Sequence, residues 1–186
     1  MRDELWNQID KIHGWLQRNE GEILSKYASP YGINVELGTW MGKSTACIAS
    51  VSKGKFYTID HYVGSYGHEK EPNLPLISAI TTRKNLAKLR LASRVKILAG
   101  NLRQFAFDWQ EPIDFIFIDA DHQYGSVKSD INLWLPHVKP HGIIAFHDYD
   151  SWPGVTQAVD EAVKDGKFEA IEQGGSVLIT KKLWEF

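Results

Sequence analysis

Apolar residues recur along this chain in two rhythms, a helical one of threes and fours and a strand-like one of short unbroken runs. From residue 3 to 19, Leu5, Ile9, Ile12 and Leu16 fall at spacings of three and four, which predicts an amphipathic helix. A second helical stretch, Glu22 to Tyr27, stops before Ser29-Pro30. Ile33 to Leu37 reads as a strand running into Gly38, Lys43 to Ser52 as a helix, and Lys55 to Asp60 as a strand ending in an acid. Residues 61–75, rich in Gly, Pro, Tyr and His, form a long loop, and Leu76 to Leu91 a helix whose first turn suits Pro75. Arg94 to Leu98 is a strand, followed by Gly100-Asn101 and a short helix. Asp114 to Asp119 is the clearest strand, its apolar run being what a strand covered on both faces requires. Gln123 to Leu135 is a helix closed by Pro136, Gly142 to Phe146 a buried strand leading into His147-Asp148, and Trp152 to Asp165 a helix. Phe168 to Glu172 and Val177 to Thr180 pair through Gly174-Gly175, a hairpin signal. The predicted fold class is therefore α/β, three layers around a mostly parallel seven-stranded sheet with a C-terminal antiparallel hairpin.

Length places all of this in one domain over residues 1–186, with residues 1–29 as an N-terminal helical arm. A content of 43% hydrophobic and 24% charged residues excludes disorder and fibrous repeats. The 21 basic and 23 acidic residues leave a net charge of −2, which supplies no electrostatic reason for nucleic acid or an anionic membrane as a partner. The single cysteine, Cys47, excludes an internal disulfide and a cysteine-rich zinc site. Apolar stretches end far short of a membrane span, and Met1 to Asp10 is charged and amphipathic without a signal-peptide core. A soluble, cytoplasmic protein is expected. The helix-spaced apolar residues of 3–27 are expected to pack on the sheet or against a second subunit of a homo-oligomer. Of the seven tryptophans, only Trp40 lies in a motif; the others, Trp134 among them, are assigned to packing, as is Phe146.

Ligands of doubly wound sheets bind beyond the carboxyl ends of the strands, so the chemistry is sought there. The first such end reads Glu36-Leu37-Gly38-Thr39-Trp40-Met41-Gly42-Lys43-Ser44. Two glycines permit a tight turn, and a helix N-terminus follows that offers free N–H groups to an anion. A dinucleotide fingerprint fails, because Trp40 and Lys43 stand where glycines are needed. A P-loop requires four residues between Gly and Gly-Lys-Ser, whereas Gly38 and Gly42 enclose three. The Gly-Lys-Ser ending, with Phe115 to Asp119 imitating a Walker B strand, keeps a P-loop-like nucleotide hydrolase as the alternative.

The pattern E-x-G-x-x-x-G-x-S, with Asp60 ending the second strand, resembles the glycine motif of class I S-adenosylmethionine-dependent methyltransferases. An acid in that place accepts the ribose hydroxyls of a nucleoside. The fourth strand end, Asp119-Ala120-Asp121-His122-Gln123-Tyr124, is similar to the D-A-D-x-x-x-Y segment of metal-dependent O-methyltransferases of the caffeoyl-CoA and catechol type and of a related bacterial natural-product branch. The resemblance covers about residues 33 to 165 and implies a Rossmann-like methyltransferase fold. It implies S-adenosylmethionine contacts at Glu36, Gly38, Thr39, Trp40, Met41, Gly42, Ser44, Asp60, His61, Gly100, Asn101 and Asp119. It further implies a divalent metal held by Asp119, His147 and Asp148. The ion is expected to be magnesium or manganese. Imidazole at position 147 departs from the oxygen ligand usual in the family and suits softer ions such as manganese, iron or zinc, so either His147 points away and water completes the shell, or the metal is not magnesium.

Methyl transfer to a hydroxyl requires a base. Where the resembled plant and animal enzymes carry a lysine, three residues after the first metal-binding aspartate, this chain has His122, which is the candidate base, with Asp119 its catalytic partner. Residues 61–75 are the candidate lid over the substrate, with Tyr62, Tyr66 and His68 available to an acceptor; Lys84, Lys88 and Arg90 form a solvated helix face. The expected activity is metal-dependent O-methylation of a small hydroxylated compound. A scaffold that binds the cofactor without catalysis is the non-enzymatic alternative.

Overall fold

The apolar run Ile113–Ile118 (β4) takes the centre of the sheet because both of its faces are covered. Phe115 and Phe117 point into a cluster with Trp6, Leu24, Ile48 and Leu86, while Ile116 and Ile118 point into a second cluster with Ile131, Trp134 and Val159. This alternation, the period of two of a strand, divides the helices into two layers. The structure, a computed structural model, describes residues 1–64 and 78–183.

One layer holds α1 (Asp3–Ile9), α2 (Arg18–Tyr27), α3 (Lys43–Val51) and α4 (Ala79–Lys88); the other holds α5 (Leu102–Asp108), α6 (Tyr124–Trp134) and α7 (Pro153–Lys164). Between them the strands β1 (Ile33–Leu37), β2 (Lys55–Asp60), β3 (Lys96–Ala99), β4, β5 (Val138–Phe146), β6 (Phe168–Gly174) and β7 (Val177–Lys182) lie in the order β3-β2-β1-β4-β5-β7-β6. Strands β1 to β5 run parallel, and β7 is antiparallel to both neighbours. The order reverses between β1 and β4, where Leu37 pairs with Ile118. That reversal leaves a crevice outside the carboxyl ends of these strands. This is the Rossmann-like methyltransferase fold. Among the described residues no helix is long and apolar enough to cross a membrane.

The largest departure from the predicted elements lies in the N-terminal arm. Residues 3–19 are not one helix: α1 ends at Ile9, and α2 starts at Arg18 rather than at Glu22. A capping box starts α2, with the Gln17 amide donating to Glu20 Oε2 at 2.7 Å and the Gln17 side chain accepting in return. Ile12 and Leu16 are buried nonetheless, so their spacing reported contact with the core and not helical continuity. The predicted helix 76–91 is shorter within the described residues. α4 starts after Ser78, whose side chain accepts from the Thr81 amide, and stops at Lys88, so Arg90, expected on the helix face, lies in the following turn with φ 59°. Trp134 and Phe146 are fully buried in the core.

Candidate active site

At the end of β1 the chain must turn beneath the end of β4, and there is room only for glycine. Gly38 has φ +90°, and a Cβ on it would lie 2.1 Å from the Asp119 carbonyl oxygen. The turn that follows is braced from β2. The amides of Thr39 and Trp40 both donate to Asp60 Oδ2 at 2.8 Å, and the Tyr62 amide donates to Oδ1 at 2.6 Å. Trp40 and Tyr62 hold positive φ angles of 50° and 58°, conformations that persist in non-glycine residues only when neighbours over-determine them.

Glu36 lies behind this turn. It is wholly buried and accepts from the hydroxyls of Ser44 at 2.5 Å, Thr45 at 2.6 Å and Thr58 at 2.5 Å. Burial pushes its carboxyl up to about 7, against the pull of the three hydroxyls. An unfolded chain ionises this group near 4.5, so between these values the native state binds more protons and stability falls as pH rises. At 1.36 kcal/mol per pH unit the loss is about 3 kcal/mol above pH 7. Glu36→Gln is therefore expected to match wild type near pH 5 and to melt roughly 5 °C or more above it near pH 8. Thermal denaturation at the two pH values measures this, and an unchanged difference between the proteins would refute it.

Lys43, the residue behind the P-loop alternative, is nearly buried. Its Nζ donates to Asp10 Oδ1 at 2.9 Å and to the Gly14 carbonyl at 3.2 Å, and it lies 5.6 Å from the Trp6 ring centroid. Those contacts tie the ammonium to the N-terminal arm at the edge of the crevice.

Across the crevice the ends of β4 and β5 bring four charged side chains together. His147 is buried, with Nδ1 3.2 Å from Asp119 Oδ1 and 3.3 Å from Asp148 Oδ2, and Nε2 3.4 Å from Glu20 Oε2. His122 reaches the same corner, its Nε2 3.0 Å from Asp148 Oδ2 and its ring stacked on Trp152 at 4.6 Å. Burial disfavours both imidazolium ions, but the carboxylates outweigh it: the pKa of His122 is raised, and that of His147 is raised well above its ordinary value. Burial likewise opposes the charges of Asp148 and Glu20, yet hydrogen bonds hold both ionised. Asp148 lies far below the usual range under the two histidines, and Glu20 falls to about 2 under His147 and the Gln17 and Ser176 amides. Asp119, His122 and Asp148 each offer one ligand atom, all within 4.8 Å of one another. Asp148 holds a positive φ of 57°.

These groups share a cavity of about 300 Å³. Of the residues singled out in the sequence, Gly38, Thr39, Trp40, Lys43, Ser44, Asp60, His61, Asp119, His122, His147 and Asp148 line it. Glu36, Met41, Gly42, Gly100 and Asn101 do not. Glu36 supports the turn from behind, and Asn101 caps α5 by accepting from the Arg103 amide. Tyr66 and His68 of the expected lid lie outside the described residues. Two tryptophans assigned to packing, Trp15 and Trp152, line the cavity and are 49% and 38% exposed. Glu20 was also missed, since its one sequence signal, position N3 of a capping box, points to helix initiation and not to a partner on β5.

A family model described as a methyltransferase domain matches residues 35–149, and the chain belongs to that family. A stretch of 56 residues is 45% identical to the uncharacterized protein R132 of Acanthamoeba polyphaga mimivirus, covering 28% of this chain and 25% of that protein. The chain spans a quarter or less of the length of the curated relatives it matches. Among solved structures, the O-methyltransferase NovP superposes with a TM-score of 0.78 at 18% identity, over 98% of this chain and 89% of that one. An O-methyltransferase from Bacillus cereus in complex with SAH gives 0.72 at 19% identity, over 99% and 92%.

Proposed function

We propose that this protein is an S-adenosylmethionine-dependent O-methyltransferase acting on a small hydroxylated acceptor, with a divalent cation held between Asp119 and Asp148. The observation that carries the reading is one cavity with two unlike ends. One end is the glycine turn braced by the acid of β2, suited to a nucleoside; the other is a half-buried corner of carboxylates and imidazoles, suited to proton and metal chemistry. Family membership and the likeness to O-methyltransferases, one of them solved with SAH, support it.

S-adenosylmethionine supplies a sulfonium-bound methyl group open to in-line displacement by oxygen. A divalent cation lowers the pKa of a hydroxyl and orients it. The donor set fits such an ion: the carboxylates of Asp119 and Asp148 converge, and His147 Nδ1 faces both of them while its Nε2 is fixed by Glu20. A carboxylate that orients a ligating histidine in this way is the usual support of a metal site. His122 is then left to accept the hydroxyl proton. Asp148 orients its ring, and the surrounding carboxylates stabilise the imidazolium that forms. The grouping of Asp119, His122 and Asp148 within 4.8 Å favours a second arrangement, with His122 as the third donor.

Calorimetry is expected to show S-adenosylhomocysteine binding. Asp60→Ala should weaken it by roughly tenfold to a hundredfold, since it frees the Thr39 and Trp40 amides and removes the ribose acceptor. Absence of binding to the wild-type protein would sink the reading, and ATP-dependent phosphate release lost in Lys43→Ala would favour the hydrolase instead.

A further inference from the structure

We infer that Trp152 is a positioning residue: it fixes the ring of His122 so that Nε2 is the nitrogen presented to the corner of Asp119 and Asp148. The consequence for turnover rests on reading His122 as the group that takes the hydroxyl proton.

A histidine does not hold its own ring. The last torsion of an imidazole side chain is broad and roughly two-fold, and a half-turn about it puts Cε1 where Nε2 stood. A base must lie within hydrogen-bond reach of the proton it takes, so something outside the side chain has to choose the edge. Three contacts choose it here, all from residues 148–154. Asp148 Oδ2 lies 3.0 Å from His122 Nε2 and holds the edge. Trp152 holds the face, its indole stacked on the imidazole with 4.6 Å between centroids and 18° between planes. Gly154 admits the backbone: a Cβ there would lie 2.5 Å from the His122 carbonyl oxygen and 2.6 Å from the Tyr124 amide nitrogen. The stacked indole fixes the plane of the imidazole, and the carboxylate fixes which edge lies toward the corner. A His122 nitrogen then lies within 4.8 Å of carboxylate oxygens of both Asp119 and Asp148.

The segment is built to keep that grip. The Asp148 carbonyl accepts from the Ser151 amide at 3.1 Å and from the Trp152 amide at 3.0 Å, so the two residues that hold the ring are the two ends of one turn. Pro153 restricts the residue before it to extended backbone, and Trp152 has φ −122° and ψ 116°. The Trp152 carbonyl accepts from the Val155 and Thr156 amides at 3.0 and 3.1 Å, which ties the indole to the first turn of α7. An indole gains most from full burial, yet Trp152 stays 38% exposed at the cavity with the imidazole against its face.

The other histidine of the corner is held differently. His147 is buried and faces carboxylates through both nitrogens, Nδ1 toward Asp119 and Asp148 and Nε2 toward Glu20. Its two edges fix its ring, whereas the ring of His122 is fixed by an edge and a face. Locking a reacting group by packing and hydrogen bonds in this way is what preorganisation of a site requires.

Histidine ring signals in the NMR spectrum of the whole chain test this without any acceptor. The His122 signals are assigned by their disappearance in His122→Gln. In wild type its ring protons are expected as one set, upfield of those of a free histidine, because they lie against an indole face. Trp152→Leu keeps apolar bulk but offers no ring face; it is expected to lose the upfield shift and to average the two ring orientations. Trp152→Phe is expected to keep both features. With S-adenosylmethionine, manganese and a panel of hydroxylated compounds, kcat should fall about tenfold in Trp152→Leu while KM stays within about twofold, and Trp152→Phe should recover it. The inference is overturned if wild type shows no upfield shift, if Trp152→Leu leaves the His122 signals in place, or if Trp152→Phe fails to restore what Trp152→Leu loses. A KM that rises as much as kcat falls would also overturn it, because Trp152 would then be a wall of the cavity and not a holder of the base. Failure of the methyltransferase reading would show separately, as wild-type protein that does not bind S-adenosylhomocysteine, and the ring signals would still decide what Trp152 does to His122.

Discussion

Alanine at position 38 is expected to lower the melting temperature by roughly 10 °C and to abolish detectable S-adenosylhomocysteine binding. The two effects have one cause. A Cβ at Gly38 would meet the carbonyl oxygen of Asp119 at 2.1 Å, its carbon at 2.6 Å and the Cα of Ala120 at 2.9 Å, all of them backbone atoms with no rotamer by which to yield. The φ of +90° adds a strain of about 1–2 kcal/mol for any residue with a side chain. Relief requires β1 and β4 to separate at their carboxyl ends. Asp119 moves when they do, and the amides of Thr39 and Trp40 leave the Asp60 carboxylate. A thermal melt and a calorimetric titration of the same preparation decide the matter; a variant that melts like wild type and binds normally would show that the turn tolerates what its geometry forbids.

The legibility of this molecule follows the same division between local and distant contacts. Strands β1, β2 and β4 and the second half of β5 could be read directly because each is a largely apolar run ended by a polar or glycine residue. The first half of β5, with Lys139, Pro140 and His141, carried no such run. The carboxyl ends of the legible runs are where the doubly wound topology collects them. That placed Gly38, Asp60, Asp119, His147 and Asp148 on one cavity from their order alone. The N-terminal arm could not be read so. The spacing of Leu5, Ile9, Ile12 and Leu16 is what a helix shows and also what a bent segment shows when its apolar residues reach the core from different directions. Gln17 and Glu20 carried the stronger local signal, a capping box, and it prevailed. Glu20 meets His147 across 127 residues of sequence, a contact that no periodicity encodes. Trp15 and Trp152 were indistinguishable from core tryptophans because composition records their presence and not the side of the chain they occupy. Glu36 differs again: its place in the motif suggested a cofactor contact, while the structure buries it under three hydroxyls, behind the glycine turn and outside the cavity lining.

Asp119→Asn is expected to reduce methyl transfer by roughly a thousandfold while leaving the fold intact. The substitution keeps volume and removes charge. His147 retains Asp148 at 3.3 Å and Glu20 at 3.4 Å, so its buried imidazole is not stranded. The Asp119 amide keeps its bond to the Leu37 carbonyl at 2.8 Å, so the junction of β1 and β4 holds. What is lost is one of two carboxylates facing the corner. Manganese titration followed by electron paramagnetic resonance should show saturable binding to wild type and a loss of roughly tenfold to a hundredfold in the variant. Transfer to a hydroxylated acceptor that survives in Asp119→Asn, or manganese affinity that does not change, would remove Asp119 from the site. His122→Gln and His147→Gln assign the third donor in the same titration. If His147 is the ligand, its variant loses manganese while His122→Gln keeps it and loses turnover, because a base acts on the acceptor and not on the ion.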